Sequence, residues 1–156
     1  MITMFFPKVK GSNLEKKKYH IPEDLEGEIN IVTVAFQQWH QGLVNTWVPY
    51  LEELKESFNE VSFYEFPTIN RGYKGMRFMI DGGMRMGIPD KIVRSRTITL
   101  YLNKHDFMNK LDIRDDQNIT TFLLDNEGKI ILKIDGEYNP EKGELITNKI
   151  KELIRK

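Results

Sequence analysis

The sequence predicts a single α/β domain in which a mixed β-sheet lies between two layers of helices. Residues 29–36 are almost continuously apolar and β-branched, which is typical of a strand buried on both faces of a sheet. Strand and helix patterns then alternate, and such βαβ units place their strands in parallel with a right-handed crossover. Residues 125–128 are turn residues between two later strand patterns, so we expect an antiparallel hairpin there and a mixed sheet.

The 156 residues are expected to form one domain, because this length suits a single core and no repeat or linker interrupts the pattern. Residues 1–28 are polar and irregular, and we expect them to form a short hairpin and a leader. Residues 29–156 then form the core of the domain.

A helix is predicted after the first strand, because four apolar residues recur there at helical spacing: Trp47, Leu51, Leu54 and Phe58. We expect Trp47 to belong to the core. Pro49 either opens this helix or interrupts a longer one that starts near Gly42.

Apolar runs and the alternation of apolar and polar residues predict the remaining strands. Residues 61–66 are predicted to form a strand parallel to the first and to end at Pro67. Residues 97–102 alternate strictly and form the next strand. The hairpin strands are predicted at residues 119–124 and 129–134.

Three further helices are predicted. Residues 73–87 form the first, although the pair Gly82-Gly83 lowers its helical propensity. Asn103 caps a short helix, and the last helix follows Asn139-Pro140. The four methionines of this region are Met76, Met79, Met84 and Met86. Their helical spacing predicts that they lie in the core.

Composition excludes several classes of function. The chain has 23 Lys and Arg and 23 Asp and Glu, and a net charge of zero argues against a general nucleic-acid binder. It has no Cys and three His, so thiol nucleophiles and zinc–thiolate sites are excluded, and we expect no metal or other cofactor. The sequence shows no secretory leader and no membrane span, from which we expect a cytoplasmic protein.

Three stretches resemble the thioredoxin superfamily, in its peroxiredoxin-like and TlpA-like branch. The first is Ile21-Pro22-Glu23-Asp24-Leu25-Glu26-Gly27-Glu28, which precedes the first central strand. The second runs from Val34-Ala35-Phe36 to Trp47-Val48-Pro49-Tyr50-Leu51. The third is the hairpin Thr120-Thr121-Phe122-Leu123-Leu124-Asp125-Asn126-Glu127-Gly128-Lys129-Ile130. The resemblance implies a thioredoxin-like three-layer α/β/α sandwich.

One subfamily resembles the middle of the chain more closely. Mitochondrial ATP-synthase assembly factors of the inner membrane have a similar succession of Met86-Gly87-Ile88-Pro89, a strand containing Tyr101, a short helix at 107–111 and the hairpin at 124–130. The chain departs from them at Ile131-Leu132, where those factors have an Arg-Trp pair. It also shows no organelle-targeting leader, so we do not expect the mitochondrial location to carry over.

The same resemblance places the former redox site. Gln41-Gly42-Leu43-Val44 stands where the family has Cys-x-x-Cys, and Ile119 stands at the cis-proline position, where we expect a trans bond. Ile119 and Thr120 are therefore candidate binding residues, and no residue is assigned a catalytic role.

Trp39, His40, Gln41 and Gly42 follow the first core strand, where open α/β sheets place their ligand crevice. They either form a binding site with aromatic walls or pack as the remnant of an active site.

A basic segment provides the other candidate site. Residues 71–96 contain seven Lys and Arg against two Asp, whereas residues 52–65 are mainly acidic. This segment is either a solvated surface or an anion site built from Arg77, Arg85 and Arg94, which we expect to converge near residues 39–42.

Three functional hypotheses follow. The first is a non-catalytic binding or assembly module, with a protein partner, built on a thioredoxin-like fold without redox cysteines. The second is an enzyme of non-thiol chemistry or a small-anion-binding protein, using His40 and arginines of segment 71–96. The third is a structural homo-oligomer, such as a homodimer, with the methionine-rich segment at its interface.

Overall fold

The computed structural model describes residues 4–155, apart from the side chains of Lys74 and Phe78. The strands in this part of the chain are β1 Val9–Asn13, β2 Lys18–Ile21, β3 Ile29–Ala35, β4 Val61–Asn70, β5 Ile98–Leu102, β6 Thr120–Leu124 and β7 Ile130–Asp135. The α-helices are α1 Gln41–Ser57, α2 Arg77–Gly87, α3 Lys91–Ser95, α4 Lys104–Lys110 and α5 Pro140–Ile154. Two 3-10 turns, Gln38–His40 and Arg71–Met76, lead into α1 and α2.

The strands form one sheet in the order β2-β1-β5-β4-β3-β6-β7. β3 and β4 are parallel, as are β4 and β5, whereas β6 is antiparallel to both β3 and β7. The prediction of a mixed sheet with β3 in its interior and a C-terminal hairpin is therefore confirmed.

Two apolar clusters cover the two faces of the sheet. Alternate residues of β3 point to opposite faces, so Ile31 packs beneath α1 and α5 while Val32 packs beneath α4 and the N-terminal segment. All seven residues of β3 are buried, as the continuous apolar run predicts. The architecture is the three-layer α/β/α sandwich that the resemblance implies.

Several predicted boundaries differ from the structure. β4 continues through Pro67 to Asn70, because its last residues pair with β5, and a proline lacks only its own N–H. Pro49 lies inside α1, which runs without a break from Gln41 to Ser57, so the proline does not open the helix. α2 continues through Gly82-Gly83, and α3 was not predicted.

The N-terminal hairpin is an integral part of the sheet rather than a separate leader. β1 pairs with β5 through Ser12 opposite Thr99 and Asn13 opposite Ile98. The hairpin turn is tied to the helices as well, since the Glu15 carboxylate accepts ion pairs from both Arg85 and Arg94.

The methionine prediction is wrong, whereas the tryptophan prediction is confirmed. Met76, Met79 and Met86 are 49%, 72% and 87% exposed, because the opposite side of α2 is held against the hairpin by its arginines. Trp47 is fully buried, and its indole Nε1–H donates to the Gly136 carbonyl at 2.9 Å.

Trp47→Phe is expected to lower the free energy of unfolding by about 2 kcal/mol, because it removes a buried hydrogen bond and leaves a small void. Chemical denaturation monitored by circular dichroism measures the change. The matched control is Trp39→Phe, at an exposed tryptophan, which is expected to change stability little. Equal losses in the two variants would contradict the assigned role of Trp47.

Candidate functional site

The candidate site lies where β3 ends and α1 begins, and its organising residue is a buried histidine. The His40 side chain is fully buried, and its Nδ1 accepts hydrogen bonds from the backbone N–H groups of Phe36 at 3.0 Å and Gln37 at 3.2 Å. Because Nδ1 accepts these bonds, the geometry assigns the ring proton to Nε2. His40 thus fixes the turn between strand and helix.

Burial also determines the charge of this ring. It lowers the pKa of His40, and the Gln117 backbone and the Asp116 carboxylate only partly oppose that effect. The neutral imidazole satisfies two backbone donors, and its complete burial keeps it from exchanging protons with a surface ligand. The structure therefore gives no support to His40 as a general acid or base.

The neighbours of His40 along the chain are exposed. Trp39 is 57% exposed and packs edge-on against the His40 ring, with 4.4 Å between ring centroids. Gln41 and Gly42 open α1 on the surface. Of the four predicted residues, Trp39, Gln41 and Gly42 are thus available to a partner.

The two residues predicted from the cis-proline position lie inside the molecule. Ile119 and Thr120 are buried, and the Thr120 hydroxyl hydrogen-bonds to Asp135 at 3.1 Å. The one cis peptide bond among residues 4–155 is Ile21–Pro22, so the bond before Ile119 is trans, as expected. Ile119 belongs to the apolar cluster beneath α1 and α5, and Thr120 lines a separate cavity beside Asp135 rather than the surface around Trp39.

The predicted convergence of three arginines near residues 39–42 is wrong. Arg77 donates to the Ser12 hydroxyl at 2.8 Å, and Arg85 donates to the Leu14 carbonyl at 3.0 Å. Arg94 reaches Glu15, where it meets Arg85. The N-terminal hairpin supplies these partners. They are far from the arginines in the sequence, so no local sequence pattern indicated the contacts.

A cavity of about 280 Å³ opens beneath the first half of α1, between that helix, the sheet and α3. Most of its lining is apolar, and includes Val44, Val48, Leu51 and Val93. Gln41 and Asn45 also line it, which joins the cavity to the start of α1. The surface around Gln41 and this cavity are therefore continuous.

Two charged residues of this cavity escaped the sequence analysis. Glu65 is on the face of β4 that packs against α1, and its carboxylate accepts a hydrogen bond from Gln41 Nε2 at 3.3 Å. Arg96 binds Glu52 at 2.6 Å, and its guanidinium carbon lies 4.2 Å from the Phe63 ring centroid. A charged residue at a core-facing position of an alternating strand is the sequence signal by which Glu65 could have been found.

Burial raises the pKa of the Glu65 carboxyl, while the hydrogen bond from Gln41 and the charge of Arg96 act in the opposite direction. A carboxyl whose pKa is higher when folded than when unfolded favours folding at low pH. That contribution is lost as pH rises from the unfolded pKa through the folded one.

Glu65→Gln removes this pH-dependent cost, so the stability of the variant relative to wild type is expected to rise as pH increases above about 4. Urea denaturation at several pH values gives the difference in the free energy of unfolding. Glu53→Gln, on the exposed side of α1, is the matched control. A stability difference for Glu65→Gln that stays constant with pH would show that the carboxyl does not titrate as described.

No helix within residues 4–155 has the length and apolar character needed to cross a membrane. In the same part of the chain, no three His, Asp or Glu side chains are grouped so that they could hold a metal ion.

Solved structures with low sequence identity share this fold. The exposed lipoprotein thioredoxin Etrx1 of Streptococcus pneumoniae is 17% identical, with a TM-score of 0.60 over 94% of this chain and 99% of that one. Copper-bound yeast Sco1 is 11% identical, with a TM-score of 0.62 over 97% and 94% of the two chains.

BsSco, a member of the Sco family of cytochrome c oxidase assembly proteins, is also 11% identical, with a TM-score of 0.60 over 94% and 92%. These likenesses show a thioredoxin-like fold. No curated protein sequence matches the chain. The model of the ATP10 protein family matches residues 2–153, nearly the full length, and the chain therefore belongs to the ATP10 family.

Proposed function

We propose that this protein is an assembly module that holds a partner polypeptide through non-covalent contacts, without thiol–disulfide exchange. The proposal rests on the start of α1, where the resemblance aligns Gln41 and Val44 with the redox cysteines of the thioredoxin superfamily. A thiolate at a helix N-terminus is the reactive group of that chemistry, and this chain has no Cys.

Membership of the ATP10 family supports a role in assembly. The resemblance to ATP-synthase assembly factors identifies that complex as the first one to examine. The fold is also found in BsSco, which belongs to a family of cytochrome c oxidase assembly proteins. A thioredoxin-like domain is thus compatible with a role in the assembly of a protein complex.

The proposed contact surface is formed by Trp39, Gln41 and Gly42, together with the cavity beneath α1. Exposed tryptophan rings are frequent anchors in protein interfaces, because they bury a large area at low entropic cost. The apolar lining next to Gln41 suits an apolar side chain of the partner, which would bind where Val44 and Val48 face the cavity.

The alternative of a non-thiol enzyme is less well supported, because His40 is buried and Arg85 and Arg94 are paired with Glu15. The alternative of a homodimer stays a prediction. Its interface would be formed by exposed methionines, which are Met76 at the end of the preceding 3-10 turn and Met79 and Met86 on α2.

Trp39→Ala is expected to abolish function in cells that lack the wild-type protein while leaving the melting temperature unchanged, because the side chain is exposed. Native gel electrophoresis of the ATP synthase in the source organism measures how much complex is assembled. The control is Leu145→Ala, at an exposed leucine of α5 with 58% exposure. Normal assembly with Trp39→Ala, or equal defects in both variants, would overturn the proposed surface.

A second prediction tests whether the start of α1 has kept the geometry of the redox site. The wild-type chain is expected to give only background turnover in a disulfide-reductase assay. In Gln41→Cys with Val44→Cys, at least one thiol is expected to have a pKa below about 8.5, because Gln41 is the first residue of α1 and free N–H groups stabilise a thiolate there.

Thiol alkylation measured as a function of pH reports this pKa. The matched control is Glu53→Cys, on the exposed side of the same helix but far from its N-terminus. If the double-cysteine variant and the control titrate alike, residues 41–44 do not correspond to the family's Cys-x-x-Cys positions.

A further inference from the structure

A second cavity, of about 330 Å³, lies on the part of the sheet formed by β2, β1 and β5. Four basic side chains line it: Lys10, Lys18, His20 and Arg77. Ser12, Thr99 and Tyr101, which bear hydroxyls, line it as well. The cavity thus combines positive charge with hydrogen-bonding groups.

The strand register explains why the basic side chains gather there. In the β1–β2 hairpin, Lys10 lies opposite His20, and Ser12 lies opposite Lys18. Side chains of directly paired residues share a face of the sheet, and so do residues two apart on one strand. The side chains of Lys10, Ser12, Lys18 and His20 therefore project from the same face of the hairpin.

This arrangement has an electrostatic cost in the free protein. Lys10 and Lys18 occupy diagonal cross-strand positions, where like charges repel. Within the described part of the chain neither lysine forms an ion pair, although the nearby Lys8 and Lys17 pair with Glu23 and Glu26. A bound anion would relieve the repulsion.

Arg77 contributes from the start of α2, and its partners hold it at the cavity. Its guanidinium donates to the Ser12 hydroxyl at 2.8 Å and lies 5.2 Å from the centre of the Tyr101 ring. Asp81 is the acidic residue of this group, and it is engaged by the Tyr101 hydroxyl at 2.8 Å and by Arg77 at 3.6 Å. Asp81 therefore orients Arg77 and offsets part of its charge.

Thr99 supplies an independent indication of a ligand. The residue is fully buried and lines the cavity, and its hydroxyl has no hydrogen-bond partner among the described residues. A buried hydroxyl without a partner is costly, so such groups are normally satisfied by water, an ion or a ligand atom.

We propose that this cavity binds a phosphate group, as inorganic phosphate or as a phosphate monoester. Lys10, Lys18 and Arg77 would neutralise its charge, with His20 at the rim and the hydroxyls of Ser12 and Thr99 completing the hydrogen bonds. A phosphate dianion has several acceptor oxygens, which matches a site with several cationic donors better than a single carboxylate does.

This assignment does not depend on the assembly role. Arg77 is the arginine of segment 71–96 that lines this cavity, whereas Arg85 and Arg94 are engaged at Glu15. The site occupies the outer strands of the sheet, and its lining shares no residue with the cavity beneath α1.

The test is titration of the full chain with inorganic phosphate and with glycerol 3-phosphate, followed by amide chemical shifts in NMR spectra. Lys10→Gln with Lys18→Gln is expected to weaken phosphate binding roughly tenfold or more. The matched control is Lys8→Gln with Lys17→Gln, which changes the net charge equally but removes lysines that do not line the cavity. Shifts are expected at Gly11 and Thr99.

A further arm distinguishes the sources of the phosphate. Flotation with phosphatidylcholine vesicles, with and without phosphatidic acid, tests whether the site takes a lipid headgroup. Binding to phosphatidic acid that Lys10→Gln with Lys18→Gln abolishes assigns the headgroup, whereas binding of soluble phosphate alone assigns a free ligand. Either result supports the phosphate site.

Thr99→Val separates a ligand role from a structural one. It removes an unpartnered hydroxyl, so stability is expected to stay equal or to rise, while phosphate affinity falls. Absence of shifts at Gly11 and Thr99 in the wild type, or an equal loss of affinity in the two double variants, would overturn the proposal.

Discussion

The structure depends on the burial of β3 on both faces. Every residue of Ile29–Ala35 is buried, and the strand is paired on one side with β4 and on the other with β6. Because alternate side chains enter the two apolar clusters, this strand connects both cores of the sandwich. The end of β3 also positions the candidate site, since His40 accepts the N–H groups of the residues that follow it.

A histidine at this position suggests acid–base chemistry, but because His40 is buried its role is structural. A neutral ring fits this place, because an imidazolium would lose its hydration and would carry protons on both nitrogens, leaving two backbone donors without an acceptor. The same turn exposes Trp39 and Gln41. Such an exposed tryptophan beside a polar side chain suits a contact surface, which agrees with the proposed assembly role.

Electrostatics divides the face of the sheet that packs against α1 into two regions. Beneath α1 the cavity is mainly apolar and contains Glu65, whose carboxyl is held in an unfavourable environment. On the hairpin side the cavity is polar and basic, with Lys10, Lys18 and Arg77 in its lining. The ion pairs of Arg85 and Arg94 with Glu15 lie at the hairpin turn and hold it against the helices.

The sequence by itself determined the layout of the fold, because periodicity and turn chemistry are local properties. The buried run at 29–36, the helical stripe containing Trp47 and the turn at 125–128 each predicted the element that the structure shows. The resemblance aligned residues 41–44 with the family's Cys-x-x-Cys, and α1 begins at Gln41.

Only the tertiary structure determined which helix faces are buried and which charged side chains lie close together. Met79 has helical spacing but faces outward, because the other side of α2 binds the hairpin. The convergence of Arg85 and Arg94 on Glu15, and of Lys10 with Arg77, joins residues that are far apart in the chain. No local pattern encodes such contacts, since they depend on how the strands are ordered in the sheet.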